Sequence, residues 1–410
     1  MLLNGLLPYS FSMQINGVIS EAVASISELD SRRKLLGEKL LPLNNLNLLE
    51  SGSEDFLEER LIMPVEKAEL NCKIAGADSG FVDKDLFALD LVLIRAIGAV
   101  FSYNAGRLGT AEYFPHFYSF PEPHLSQAGL EADEFQCSKS IQRLIKEVGI
   151  ARSLIEKFSP AFCFLDGSIV PQYADKPRKD SAVKSAYHEM LEEFQGLYSV
   201  AEESNCELVG CVEDSRGSRF GQILQESLLC DGTKALGKSA FGKPFAVAKA
   251  LGKTAASQQS LLASHKNLSA QLNGCYDAII LDYLLKPGER SMAFSYTAST
   301  KEHPILMDFD EKWSKSVRAF YLKPVAFDRP LRVEFLHHNH EGISAHASKI
   351  ASIVFAQSCM HREYAFPSIL VEADLHARLK QQEIEIVYDK ILNKLGKGIK
   401  LRLRRDNRPL

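Results

Sequence analysis

None of the eight cysteines of this chain stands in a CxxC pair or at zinc spacing from a histidine, so neither a redox dithiol nor a structural zinc site is expected. Several lie inside apolar, strand-like runs, Cys163 in AFCFLDGS and Cys211 in LVGCVEDS, and read as small, reduced core residues of a cytoplasmic protein. There is no uninterrupted apolar run of the roughly 18 residues a membrane span needs. The most apolar stretch, LFALDLVLIRAIGAVF, is broken by Asp90 and Arg95. The opening MLLNGLLPYSFSM has no basic region and no A-x-A step, which argues against a signal peptide. Nor is there an excess of one charge: 48 Lys and Arg against 52 Asp and Glu give −4. That removes the simplest nucleic-acid binder, a chain basic throughout, but leaves room for a local basic groove.

The remainder is ordinary globular composition. Of 410 residues, 46% are apolar and 24% charged, enough for a large core without disulfide or metal staples. No repeat and no Pro/Gly/Ser linker divides the chain. The expected organisation is a helical N-terminal arm over 1–60, one α/β domain over 61–385 and a basic tail over 386–410. Helical spacing of apolar residues runs through MQINGVISEAVASISELDSRRKLLGEKLL. CKIAGAD predicts a buried strand closed by a turn at Ser79-Gly80, and residues 86–103 predict two strands. Helices are predicted over 138–158, 181–204, 345–355 and 369–380, and strands over 162–165, 207–213, 316–322 and 331–336.

Two strand ends carry the chemistry. GADSGF places Asp78, and FLDGSI places Asp166, after an apolar run and before a glycine turn. At the ends of strands in an open α/β sheet such side chains face the crevice where ligands bind. A free carboxylate inside a strand costs several kcal/mol or takes up a proton. Two acids brought together repel, and a divalent cation relieves that; hard oxygen donors favour Mg²⁺ or Mn²⁺. The alternative is that each Asp caps its own turn, since Asp-Gly and Asp-Ser are common turn steps. A third acid is expected from helix 138–158. Glu147 and Glu156 lie nine residues apart and so point about 180° apart. Glu147, flanked by Ile145 and Val148, is the one near the apolar face.

GADSGF, RLIKEVG, FLDGSIVP, VGCVEDSRGS, DYLLKPGERS, RVEF and FPSILVEADLHARL, in that order over about residues 70–380, resemble the NurA family, nucleases that partner the HerA hexameric ATPase in DNA end resection. The resemblance implies an RNase H-like mixed β-sheet flanked by helices. It implies a Mn²⁺-dependent (Mg²⁺ possible) 5′-to-3′ exonuclease and single-strand endonuclease acting in double-strand break repair, and a homodimer docked on the ATPase ring. The family's acids fall on Asp78, Glu147 and Asp166. Where the family often has an Ala-His step this chain has Ala373-Asp374, with His376 two residues on. Where the family often has a lysine after the Gly210 strand, this chain has Glu213. Two ions would then be held about 4 Å apart, bridged by Asp78, flanked by Glu147 and Asp166 and completed by Asp374.

Substrate capture would fall to basic and aromatic residues elsewhere. Arg216, Arg219, Lys286 and Arg290 flank the site segments and could contact phosphates, or could be solvated surface. Tyr321 and Tyr364 could stack on unpaired bases of single strands or duplex ends, or pack half-buried. The HHNH run with His337, His338 and His340 looks like a metal tract but reads better as a solvated turn. An apolar stripe through Ile19, Val23, Ile26 and Leu29 fits packing on the core or on a second subunit. The basic tail fits DNA, an acidic partner or a solubilising end. Competing readings are a non-catalytic DNA-binding scaffold in the same complex, and an unrelated α/β hydrolase or phosphatase using Asp166 in its DGS turn.

Overall fold

A computed structural model describes residues 9–45, 56–87, 89–126, 130–233, 270–338 and 342–396. In chain order the elements are α1 (Tyr9–Leu40), β1 (Ile62–Pro64), β2 (Lys73–Asp85), β3 (Asp90–Asn104), β4 (Arg107–Phe114), β5 (Glu122–Leu125), α2 (Ala132–Phe158), β6 (Phe162–Asp166), α3 (Lys184–Glu203) and β7 (Glu207–Val212). They continue as α4 (Arg219–Thr233), α5 (Asp277–Leu284), β8 (Glu289–Ser291), β9 (Phe294–Ser295), β10 (Val317–Lys323), β11 (Leu331–Leu336), α6 (Ile343–Ser358), α7 (Ser368–Ala377) and α8 (Gln381–Leu395). Two compact units result: residues 1–62 with 216–286, and residues 63–215 with 287–410.

In the first unit, α1 lies against α5 at close range. A Cβ on Gly37 would come within 2.7 Å of the Tyr283 Cβ, so glycine is needed where the helices meet. Tyr283 donates its hydroxyl to Asp30. The fully buried Asp277 accepts the backbone N–H groups of Phe220 (3.0 Å) and Gly221 (2.9 Å), satisfying donors that the start of α4 leaves without an intrahelical partner. The stripe of Ile19, Val23, Ile26 and Leu29 is exposed.

The second unit is built on one mixed sheet, ordered β1-β8-β10-β11-β7-β6-β2-β3-β4, with β5 on β3 and β9 on β10. β2 pairs antiparallel with β3 from Lys73↔Ser102 to Asp85↔Asp90. It pairs parallel with β6 from Ile74↔Phe162 to Ala77↔Leu165, and β6 runs parallel to β7 as far as Asp166↔Cys211. An antiparallel β2–β3–β4 meander followed by two parallel strands that enter through helices is the RNase H-like arrangement. Ala75, Ala77, Cys163, Leu165 and Leu208 form one core with Ile141, Leu144, Ala151 and Leu154 of α2 and Met190, Phe194 and Leu197 of α3. α7 packs on the other face of β2, where a Cβ on Gly76 would lie 2.9 Å from the Ile369 Cγ1.

The predicted turn at Ser79-Gly80 is instead mid-strand. β2 continues to Asp85, and Gly80 is small because a Cβ there would sit 2.7 Å from the Ala377 carbonyl oxygen at the end of α7. Close backbone approach, not a reversal, explains the glycine. Residues 90–104 form one strand where two were expected, because β2 offers a partner along its whole length. α2 starts at Ala132, ahead of the predicted 138, behind a Glu131/Glu134 capping box, and ends at Ser159 in the left-handed region (φ 47°) before Pro160. The expected tail boundary at 386 falls inside α8; the basic residues from 397 onward lie outside the described residues, as does most of the expected loop region 215–275.

Candidate active site

Asp78 and Asp166 each follow one member of the register pair Ala77↔Leu165, so two neighbouring parallel strands present acids side by side. Alternation along β2 puts Asp78 on the same face as Gly76 and Gly80, the two glycines against which α7 lies. That contact brings Asp374, in the middle of α7, toward Asp78. The start of α7 is fixed by Gln357, whose Oε1 accepts the Ser368 hydroxyl (2.7 Å) and the Ile369 N–H (3.3 Å). Ser79 faces the opposite way, toward α2, and donates its hydroxyl to Glu147. Arg143 donates to the Glu147 Oε2 at 2.7 Å and to the Ser79 Oγ at 3.1 Å. Asp78–Ser79 therefore ties together acids from both helical layers.

Asp78 and Asp166 each lie within the electrostatic influence of Glu147 and Asp374. Burial first, then the charges of Glu147 and Asp166 and more weakly of Asp374, push the Asp78 carboxyl up to about 8 against one opposing bond from the Ser79 backbone. Burial, then Glu147, Glu213 and Asp374, push Asp166 up to about 7, with Arg143 acting the other way. Glu147 is raised by burial, opposed by Arg143 and by its bonds to Ser79 and Arg143. Metal-free, this cluster holds protons that free carboxylates would release.

Among the described residues, no three His, Cys, Asp or Glu side chains already stand in ligating geometry around one point. The reason is visible in their partners: Glu147 is drawn onto Ser79 and Arg143, and the Asp374 Oδ2 onto Arg378 at 2.5 Å. The donor chemistry nonetheless fits a hard divalent cation: all four candidate ligands offer oxygen, and burial first, then neighbouring acids, raise Asp78 and Asp166.

Asp166 is positioned by its turn. Gly167 adopts φ 110° and donates its N–H to the Cys211 carbonyl at 2.8 Å. Glu334 on β11 then accepts the Ser168 hydroxyl (2.6 Å) and the Ile169 N–H (3.2 Å) through Oε2. Its Oε1 accepts the Arg332 Nε at 2.7 Å, and the guanidinium of Arg332 lies 5.0 Å from the Tyr296 ring centre. Glu334→Ala would leave the Arg332 charge buried without its carboxylate and two turn donors unmet. We expect a loss of about 3–5 kcal/mol in stability, read from denaturant midpoints. A loss below about 1 kcal/mol would show that the turn holds itself.

A fifth acid was not expected to act here. Glu213, just past β7, exerts its charge on Asp166 and accepts the hydroxyl of the half-exposed Tyr364, whose titration is raised by burial and then by Glu213. The signal was present in VGCVED, another apolar run ending in acids on the strand paired with Asp166. Arg143 gave no sequence signal beyond its i,i+4 spacing from Glu147.

The candidate DNA-binding residues divide. Arg290 and Tyr321 are fully buried and are corrected from phosphate and base contacts to core residues: Arg290 donates to the Ser291 carbonyl (3.0 Å) and Ser348 hydroxyl (2.9 Å), and the Tyr321 ring stacks 6.1 Å from Phe294. β8 and β10 are interior strands, where long side chains turn inward. Arg219 is also buried and pairs with Glu226 at 3.5 Å, so it too is corrected from a phosphate contact. Arg216 and Lys286 are exposed, in the first unit. His337 is half-buried with its Nδ1 2.9 Å from the His346 Nδ1, which differs from a solvated turn; His338 is exposed and His340 lies outside the described residues. No helix among the described residues is long and apolar enough to cross a membrane.

The fold and the acids on it define a class: an RNase H-like domain with a carboxylate cluster across β2, β6 and the flanking helices α2 and α7. A family model for the NurA domain matches residues 72–379, and the chain belongs to that family. No curated protein matches it. Among solved structures it is similar to the NurA nuclease from Sulfolobus solfataricus, at 13% identity over 94% of this chain and 98% of that one, TM-score 0.49. It is also similar to NurA with manganese (10% identity, 92% and 98% covered, TM-score 0.43) and to NurA bound to dAMP and manganese (12%, 96% and 98%, TM-score 0.37).

Proposed function

We propose that this chain is a cytoplasmic, divalent-metal-dependent DNA nuclease using Mn²⁺, with Mg²⁺ as a weaker substitute. It acts as a 5′-to-3′ exonuclease and single-strand endonuclease in DNA end resection with a HerA-type hexameric ATPase. The observation that carries the reading is the set of acids Asp78, Glu147, Asp166 and Asp374, distant in sequence, sharing one field in a NurA-family fold. These residues would hold two ions, with Asp78 shared. The bound metal supplies the charge that lets a phosphate approach four acids and lowers the pKa of an attacking water.

The chain's own residues do the rest. Arg143 holds Glu147 in the buried layer beneath β2, and the Glu334-anchored turn fixes Asp166. Arg378 pairs with the part-exposed Asp374 one turn away at the end of α7. Arg216 and Lys286, both exposed, supply sequence-independent phosphate contacts. The exposed α1 stripe supports a homodimer as the working form.

The test is digestion of end-labelled single-stranded and blunt duplex DNA by the full chain in Mn²⁺, Mg²⁺ or chelator. We expect cleavage in Mn²⁺, less in Mg²⁺, none in chelator, and early release of a 5′ label from duplex ends. The engagement of Glu147 by Ser79 and Arg143 favours a second reading, a non-catalytic DNA-binding scaffold. That reading requires DNA binding without cleavage even when a HerA-type ATPase is supplied.

A further inference from the structure

The face of β2 that carries Ser79 leads away from the acids along α2. Ser79 meets Arg143 and Glu147; further on, Phe81 and Asp83 meet Lys139, whose Nζ lies 5.4 Å from the Phe81 ring centre and 3.2 Å from the Asp83 Oδ1. Lys139 is eight residues, about 12 Å of helix, from Glu147. There a cavity of ≈ 260 Å³ opens between α2, β3, β5 and the start of α3. Val92, Ile94 and Phe135 give it apolar walls, and His124, Lys139 and Gln142 a polar edge. The Nε2 of His124 is buried with no hydrogen-bond partner. Such an atom costs stability unless something else meets it.

We propose that this cavity receives one unpaired base of the nucleic-acid strand whose backbone crosses the acids, an inference that rests on the nuclease reading above. The volume and a mixed lining, apolar at Val92, Ile94 and Phe135 and polar at His124, Gln142 and neighbouring serines, match a heteroaromatic ring that needs both packing and edge contacts. A bare anion would leave the walls unfilled, and an alkyl chain would leave His124 Nε2 unmet. The Gln142 amide offers donor and acceptor together, so the contact tolerates different bases. The cavity shares a helix and a sheet face with Glu147, which places it along the strand's path, a few nucleotides from the scissile phosphate. A base still paired in duplex cannot enter, so the cavity selects unpaired strands.

The test is binding of the full chain to a fluorescein-labelled oligothymidylate in Ca²⁺, by anisotropy, with one abasic site moved stepwise along the strand. The expected result is one position at which the missing base weakens binding about tenfold, the loss a stacked base carries. Ala186→Trp, which fills the cavity, and Gln142→Ala should each weaken binding of the intact strand and flatten the abasic scan. Thermal melts of both variants check folding. A flat scan in the unaltered protein, no measurable binding, or an undiminished peak in both variants overturns the proposal. Because cleavage is not read, an abasic peak without Mn²⁺-dependent digestion sinks the nuclease reading and leaves the base site standing.

Discussion

Asp78→Asn is expected to cut Mn²⁺-dependent cleavage of single-stranded DNA by about a thousandfold or more, and to make the metal-free protein more stable, not less. The two effects share a cause. Asp78 is the acid on which all three others, Glu147, Asp166 and Asp374, act. As the shared ligand its loss removes the charge stabilisation a bound ion gives the transition state, several kcal/mol, and about 4 kcal/mol is a thousandfold in rate. Without metal, folding must either bury this charge or take up a proton to neutralise it, and the amide removes that cost while keeping the shape. Glu147→Gln separates the roles. Glu147 is bonded to Ser79 and Arg143, so this amide weakens a buried ion pair and should lose stability as well as activity. Cleavage by Asp78→Asn at near the unaltered rate, with the metal requirement intact, would place the chemistry elsewhere.

What the sequence could show depended on whether the controlling physics was local. The placing of Asp78 and Asp166 on neighbouring strands was legible because an acid closing a buried run needs either a turn to cap or a partner to meet. Glu147 was legible because helical geometry left one of two glutamates facing inward. The strands at 162–165 and 331–336 were legible from continuous apolar or alternating patterns. Gly80 was misread as a turn because its reason is a carbonyl of Ala377, almost three hundred residues away, which no local pattern carries. Arg290 and Tyr321 were misread because charge and aromatic hydroxyl predict exposure, and only the neighbouring strands and α6 show their partners. Glu213 and the Glu334–Arg332 pair became meaningful once β7 and β11 lay beside β6. The acids could be found from sequence; the scaffolding that holds them could not, because it is made of contacts between elements.

The remaining large effect is on stability, and its sign follows from the same acids. In the folded, metal-free protein Asp78 titrates near 8 and Asp166 near 7, against an ordinary value of 3.8 for each. Between about pH 4 and pH 8 the folded state binds protons that the unfolded chain has released. Stability therefore falls as pH rises across that window, and is greatest at its acid end. Glu207 works in the opposite sense: burial alone would raise it, but His346 and Lys349 pull it down to about 2 from 4.5, so its contribution is lost only below about pH 4.5. The two windows barely overlap, and the metal-free melting temperature should decline by several degrees from pH 5 to pH 8.5. Mn²⁺ replaces the protons, so it should raise the melting temperature strongly at pH 8.5 and little at pH 5, where proton and metal compete for the same oxygens. Scanning calorimetry at both pH values, with chelator or Mn²⁺, reads both slopes. In Asp78→Asn the decline should flatten and the Mn²⁺ gain should shrink together. A metal-free melting temperature that climbs toward pH 8.5, or a Mn²⁺ gain equal at both pH values, would mean the four carboxylates do not share one charge problem.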